Sequence, residues 1–241
     1  MESKKQPILE IKNCIKKFKN VIAVNNISLN FYNSEIVGIV GNNGAGKTTL
    51  LRLILDLLKP DSGIILSKSK NVYQSDHWKK YTGAFFDEHF LIDFLTSSEF
   101  LNLTGQLRGM SDVEIRNKIC DFETFMNNEI INNNKLIRNL SSGNKQKVGI
   151  ISSLFFNPEV VLLDEPFNFI DPSSQLILLK ILKNYIENRE ALMIVSSHNL
   201  QYIKELCTRI IIIEKGLVKY DLINNQDGFF IIKDYFLRKT T

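Results

Sequence analysis

The apolar and polar positions along the chain change period several times. Between residues 8 and 40, β-branched and aromatic runs alternate with Asn and Ser turns, which predicts several strands, the last of them (EIVGIV) buried. The segment TTLLRLILDLL that follows at 48–58 has a helical period, and the Pro and Gly of KPDSG at 59–63 are expected to end this helix.

A different texture covers residues of about 88–145. TSSE at 96–99 and SDVE at 111–114 are capping-box patterns, which predict the starts of two helices, and an Asn-rich stretch at 127–134 follows the second. We interpret this segment as a helical insertion in a larger domain.

Three apolar runs come after the insertion: VVLLD at 160–164, ALMIVSS at 191–197 and RIIIIE at 209–214. Each is too short for a helix, and helical patterns lie between them, so they predict a parallel α/β sheet. The tail at about 222–241 includes FFIIKDYFLRKTT, whose pattern fits either a strand or a helix. A single domain spanning residues 1–241 is expected.

Composition narrows the classes of function. The 30 basic and 26 acidic residues are interspersed, so no basic block indicates nucleic-acid binding. The three cysteines, Cys14, Cys120 and Cys207, match no metal-ligand spacing and favour a reducing compartment. No window approaches the roughly 18 apolar residues of a membrane span. We therefore expect a soluble, cytosolic chain.

The segment GNNGAGKT at 41–48 fits the phosphate-loop pattern G-x-x-x-x-G-K-[ST] between a predicted strand and a predicted helix. Its glycines allow backbone N–H groups to approach phosphates at a helix N-terminus. Lys47 is placed to reach the β and γ phosphates, and Thr48 to hold Mg²⁺. The residues predicted to contact the nucleotide here are Asn42, Asn43, Gly44, Ala45, Gly46, Lys47, Thr48 and Thr49.

Catalytic candidates stand at the ends of two predicted strands. Asp164 ends a buried run, where its carboxylate can hold Mg²⁺, and the adjacent Glu165 is free to accept a proton from an attacking water. His198 follows another buried run at the same edge of the sheet, so we predict a hydrogen bond to the γ-phosphate; a purely structural histidine is the alternative. Together with Lys47, these residues predict an ATPase.

A second run of small, polar and basic residues, NLSSGNKQK at 139–147, opens a helical pattern without a strand leading into it. One nucleotide does not need two phosphate cradles.

In order along the chain, GNNGAGKTT, LSSGNKQK, VVLLDEP, Asp171 and SSH resemble the motifs of the nucleotide-binding subunit of ATP-binding cassette (ABC) transporters, over residues of about 8–220. The resemblance implies a P-loop NTPase (RecA-like) α/β core with a mostly parallel sheet, an N-terminal antiparallel β subdomain and an inserted α-helical subdomain. It also implies ATP and Mg²⁺ as cofactors.

The resemblance gives the second anion site a use, because two such domains meet head to tail in this family. Ser141, Ser142 and Gly143 are then expected to contact ATP held by another chain, with Ser142 standing where glycine is usual. Asp171 is expected to cross the dimer interface. Phe18 is expected to stack on adenine, with a role in the core as the alternative.

The lid loop departs from the family pattern. Asp87 stands where the family usually has Gln, and we assign it to Mg²⁺, with Glu88 as the alternative. The neighbouring Phe85, Phe86 and Phe90 either pack on a permease helix or fill the seam next to the insertion. The sequence around this loop is similar to that of the family branch that exports peptides, lantibiotics and other drugs.

The resemblance therefore predicts the ATPase subunit of an exporter, working as a homodimer or heterodimer and held at the cytoplasmic face of the membrane by a separately encoded permease. The alternative is a soluble ABC ATPase that acts on the ribosome, DNA or a cofactor-assembly scaffold. A P-loop kinase or GTPase has no use for the segment at 139–147. No nucleic-acid partner is expected.

Overall fold

The computed structural model describes residues 6–126, 130 and 134–238. The strands are β1 (Leu9–Phe18), β2 (Val21–Phe31), β3 (Ile36–Val40), β4 (Ser62–Ser67), β5 (Lys70–Asn71), β6 (Thr82–Phe85), β7 (Val160–Asp164), β8 (Leu192–Ser197), β9 (Arg209–Glu214) and β10 (Leu217–Ile223). The α-helices are α1 (Lys47–Ile54), α2 (Ser97–Leu107), α3 (Asp112–Asp121), α4 (Glu123–Met126), α5 (Ser142–Leu154), α6 (Pro172–Glu187), α7 (Leu200–Leu206) and α8 (Gln226–Leu237).

The predicted N-terminal strands form an antiparallel sheet with the order β2-β1-β4-β5. Its core side carries the fully buried Phe31 together with β-branched residues of β1, β2 and β4. Pairing of β1 with β2 shifts register at several points, which bends and twists the long hairpin.

The second sheet is mostly parallel, with the order β10-β9-β3-β8-β7-β6. Only β10 runs antiparallel to its neighbour. β3, β7 and β8 are buried along their whole length, as apolar strands covered on both faces must be. Their carboxyl ends meet at one edge, which is where the predicted site residues lie.

The helical insertion follows the sequence pattern closely. Both predicted capping boxes are confirmed: Thr96 and Glu99 exchange hydrogen bonds at the start of α2, and Ser111 and Glu114 do so at the start of α3. The insertion joins the parallel sheet through α5, which lies directly on β6. Most of the Asn-rich stretch at 127–134 lies outside the described residues.

The end of α1 differs from the prediction, and the structure of the C-terminal tail decides between the two predicted forms. The helix α1 ends at Ile54, before the Pro and Gly expected to end it, because Asp56 adopts a left-handed conformation (φ 52°). The tail forms the helix α8, capped by the Asn225 side chain and anchored by a hydrogen bond of 2.8 Å from the Tyr235 hydroxyl to Glu214 Oε2.

All three cysteines are free thiols. No helix in the described part of the chain is both long enough and apolar enough to cross a bilayer.

Candidate nucleotide-binding and hydrolysis site

The loop at 41–48 connects β3 to α1. Gly46 has a φ of 108°, and a Cβ at this position would lie 2.2 Å from the Ala23 carbonyl oxygen, so the turn requires glycine. Lys47 is buried, and its ammonium group donates to the Gly41 carbonyl at 2.7 Å. The Lys47 ammonium is therefore folded back over the loop and faces the space that the loop encloses.

Asp164, at the end of β7, is held from two sides. The Thr48 hydroxyl donates to its Oδ2 at 2.5 Å, and the Ser196 hydroxyl donates to its Oδ1. The carboxylate is almost fully buried, yet both oxygens have hydrogen-bond donors. Hydroxyl and carboxylate oxygens are the ligands that Mg²⁺ prefers, so this pair fits the metal that the loop implies.

Glu165 lies where three of the predicted residues converge. Its Oε1 is 2.9 Å from His198 Nδ1 and 4.0 Å from the Lys47 ammonium nitrogen. Its backbone N–H donates to the Ser196 carbonyl and hydroxyl, and its φ of 49° turns the chain sharply after the strand. The structure thus brings Lys47, Asp164, Glu165 and His198 to one edge of the sheet, as the sequence predicts.

Ser141 caps the N-terminus of α5, because its hydroxyl accepts from the Asn144 N–H at 3.2 Å. Ser141 and Ser142 are exposed, and no hydrogen bond or ion pair among the described residues links 141–143 to the loop at 41–48. A Cβ on Gly143 would lie 2.6 Å from the Phe169 carbonyl oxygen, so the helix start contacts the loop after β7.

The two acidic residues of the lid loop have different partners. Asp87 Oδ1 accepts from the His89 N–H at 2.9 Å, and Oδ2 is 3.6 Å from Arg52 Nη2. Glu88 instead contacts Lys145 at 2.7 Å, and this hydrogen bond lowers the pKa of Glu88. Both line a cleft of about 300 Å³ that also reaches Asp164 and Glu165.

The aromatic residues near the lid loop divide between the two alternatives. Phe85 and Phe86 are buried in the two hydrophobic cores, so they fill the seam, whereas Phe90 is exposed. Phe18 is also 45% exposed, with the Lys16 ammonium 5.5 Å from its ring centroid, and the core role for Phe18 is excluded.

Asp171 caps α6 by accepting from the Ser174 N–H, and its other oxygen lies 3.7 Å from the Lys147 ammonium. Hydrogen bonds from the Ser173 hydroxyl and from the Ser174 N–H hold the pKa of Asp171 well below its usual range. Asp171, which the resemblance assigns to the dimer interface, is therefore ionised, and contacts within its own chain orient its carboxylate.

Sequence reasoning missed three residues of this region. Ser196 binds both Asp164 and Glu165, but only the strand register, which pairs Asp164 with Ser196, shows it. Arg52 is one of several charges on α1, and its ion pair with Asp87 is a tertiary contact. Phe169 carries no signal in the sequence, because its φ of 66° and the 75% exposure of its surface are properties of the folded loop.

The glycine loop, the buried Asp164 and the parallel sheet define an α/β protein of the P-loop nucleotide-binding class. Residues 24–168 match the model of the ABC transporter family, and the chain belongs to that family. It is 33% identical over 220 residues to the ABC transporter ATP-binding protein NatA of Bacillus subtilis (strain 168), with 88% of each chain covered. Its identity to the methionine import ATP-binding protein MetN of Clostridioides difficile (strain 630) is 32%, over 96% of this chain and 73% of MetN.

Among solved structures, the fold is similar to the ATP-binding cassette MJ0796 in a dimeric, post-hydrolysis state bound to ADP and Pi. The TM-score is 0.80 at 25% sequence identity, with 90% of this chain and 99% of the other covered. The predicted fold class, a P-loop core with an antiparallel β subdomain and a mostly parallel sheet, is thereby confirmed. The chain is an ABC-type ATPase that uses ATP and Mg²⁺.

The contacts of Ser196 generate a prediction. Ser196→Ala removes one donor to the buried Asp164 carboxylate and one acceptor for the Glu165 N–H, so the free energy of unfolding should fall by about 1–3 kcal/mol. Turnover should fall with it, because Asp164 and Glu165 lose their common support. Urea denaturation and a steady-state ATPase assay measure the two effects.

Ser197→Ala is the matched control. Ser197 is also buried, but among the described residues its hydroxyl has a single hydrogen-bond partner, the Asn199 N–H at 3.0 Å. An ATPase rate that falls equally in both variants would contradict a specific role for Ser196.

Proposed function

We propose that the protein is the ATP-hydrolysing subunit of a membrane transporter, working as a head-to-tail dimer that docks on a separate permease at the cytoplasmic face of the membrane. The observation that carries this proposal is the convergence of Glu165 with His198 and Lys47 at the edge of the parallel sheet. A base, a phosphate-binding cation and a hydrogen-bond donor at one point suit hydrolysis of a phosphoanhydride.

Each side chain has a distinct role in this proposal. Lys47 and the N–H groups of the loop bind the phosphates, and Thr48 and Asp164 hold Mg²⁺, which when bound offsets phosphate charge. Glu165 accepts the proton of the attacking water. His198, oriented by its contact with Glu165, donates a hydrogen bond to the γ-phosphate. Phe18 at the end of β1 supplies an exposed ring for adenine.

The second chain is proposed because the anion site at 141–143 is exposed and makes no hydrogen bond or ion pair with the described loop of its own chain. Ser141, Ser142 and Gly143 lie at the N-terminus of the 13-residue helix α5, where N–H groups favour a phosphate. MJ0796 is dimeric, which supports a dimer here.

The proposal of export rests on the lid loop alone. The sequence around Asp87 and Glu88 is similar to that of the branch that exports peptides and drugs. Relatives of comparable sequence identity include import proteins such as MetN. Overall sequence similarity therefore does not indicate the direction of transport. Phe90, exposed beside this loop, is proposed to contact the permease.

The role of Glu165 can be tested by Glu165→Gln, which keeps the size of the side chain but removes proton acceptance. Turnover should fall about 10²-fold or more while ATP binding survives. The variant should also accumulate as an ATP-bound dimer on a sizing column. Hydrolysis at near wild-type rate would show that Glu165 is not the base.

A mixing experiment tests the shared site. Ser141→Arg should abolish hydrolysis by blocking the partner's nucleotide, while Lys47→Ala should abolish it by weakening phosphate binding in its own chain. In a homodimer, mixing the two inactive proteins creates one complete site per mixed dimer, so part of the activity should return. No recovery despite proven subunit exchange would mean that residues 141–143 act within their own chain.

We further propose that Asp87 is a ligand of Mg²⁺ in the closed lid and exchanges Arg52 for the metal. Arg52 offsets the charge of Asp87, which would otherwise repel the phosphates. Asp87→Ala should therefore raise the Mg²⁺ concentration for half-maximal hydrolysis, and nucleotide affinity without metal should stay unchanged or improve slightly.

Mg²⁺ titrations of hydrolysis and of equilibrium nucleotide binding test this role. Glu88→Ala is the matched control, since Glu88 contacts Lys145 instead. Superimposable curves for wild type and Asp87→Ala would mean that Asp87 binds no metal, and a shift in Glu88→Ala would assign the ligand to Glu88.

A further inference from the structure

Phe169 is an aromatic residue in a conformation that its side chain disfavours. Its φ of 66° lies in the left-handed region, where a bulky residue is an outlier and glycine or asparagine is common. Three quarters of its surface is exposed, and it belongs to neither hydrophobic core. Burial within its own chain therefore does not repay the strained backbone.

The residues on both sides of Phe169 impose this conformation. The ring of Phe167 is buried and stacks on Tyr202, with centroids 4.4 Å apart, and the Phe167 carbonyl accepts from the Gln175 amide at 2.8 Å. On the other side Ile170 is buried and Asp171 caps α6. The loop is fixed at both ends, so it holds the Phe169 side chain out into solvent.

The position of Phe169 indicates what it meets. Its carbonyl oxygen lies against Gly143, so closely that no Cβ would fit there, and Asp171 is two residues further along. Gly143 and Asp171 are both on the surface proposed above for the second chain. Phe169 therefore lies between two residues that the resemblance assigns to the interface with the second chain.

We propose that Phe169 is an aromatic anchor for a second copy of this chain in the ATP-bound dimer; this inference rests on the proposed head-to-tail dimer. In a two-fold dimer the same residue is used on both sides, so two phenylalanine side chains are removed from water together. Exposed aromatic residues held rigidly at the centre of a surface are the usual anchors of protein interfaces. The backbone of Phe169 is strained in the separate chain, and the favourable burial of its ring occurs only when two chains associate.

Phe169→Gly in a Glu165→Gln background tests the anchor, because this background prevents turnover during the measurement. Glycine adopts a φ of 66° without steric strain, and this gain offsets the extra entropy that glycine gives the unfolded chain, so the melting temperature of the separate chain should stay the same or rise. The dimer dissociation constant in ATP and Mg²⁺, from sedimentation equilibrium, should increase about 100-fold as two phenyl groups leave the interface. The separate chain should therefore be as stable as before or more stable, while the dimer becomes weaker.

Two further variants in the same background control for loss of an exposed apolar residue and for the polarity of position 169. Phe94→Ala removes a phenyl group that is 67% exposed in the loop before α2, and it should leave the dissociation constant unchanged. Phe169→Asn keeps a residue tolerant of the left-handed region but is polar, so it should weaken the dimer as glycine does. Binding of a fluorescent ATP analogue to the separate chain should be equal in all variants.

The outcomes separate the two proposals. If Glu165→Gln alone stays monomeric in saturating ATP, the head-to-tail dimer is wrong. If it dimerises and Phe169→Gly dimerises with the same dissociation constant, the dimer stands and the anchor is wrong. A raised melting temperature with an unchanged dissociation constant would identify Phe169 as a strained loop residue only.

Discussion

The carboxylate of Asp164 is the point on which the arrangement of the site depends. One oxygen accepts from Thr48 on α1, the other accepts from Ser196 on β8, and the residue itself ends β7. Three elements are thus fixed against one buried charge, and a buried charge is tolerated only when its hydrogen bonds are complete. The same Ser196 receives the Glu165 N–H, so the position of Glu165 is inherited from that of Asp164.

The charged side chains at this edge of the sheet stay in contact with solvent. Glu165 is partly exposed and His198 is exposed, although the strands that carry them are buried. Asp87 and Glu88 have cationic partners, Arg52 and Lys145, so each of these two negative charges of the cleft is balanced. Pairs of this kind, near the surface, contribute little to folding, and their arrangement is better understood as preparation of the cleft for a charged ligand.

Local patterns in the sequence predicted much of this structure, and tertiary contacts account for the rest. The phosphate loop and both capping boxes were readable because each is set by residues within a few positions of one another. Ser196 and Asp164 are 32 residues apart in the sequence, and the register of the parallel strands β7 and β8 brings them together. No local pattern encodes that register. The left-handed conformation of Phe169 was equally hidden, because its neighbours impose it against the preference of the residue. The spacing of apolar residues in the tail suits either a strand or a helix. The tail forms a helix, in which Tyr235 makes a hydrogen bond to Glu214.

The seam between α5 and β6 limits how this sequence can diverge over evolutionary time. A Cβ on Gly149 would lie 2.0 Å from the ring of Phe85, and a Cβ on Gly83 would lie 1.9 Å from the backbone oxygen of Ser153. The second contact is with backbone and admits no compensating side-chain change, whereas the first can be relieved by a smaller residue at 85. Among descendants of this chain, position 83 should therefore stay glycine, and positions 85 and 149 should vary as a correlated pair.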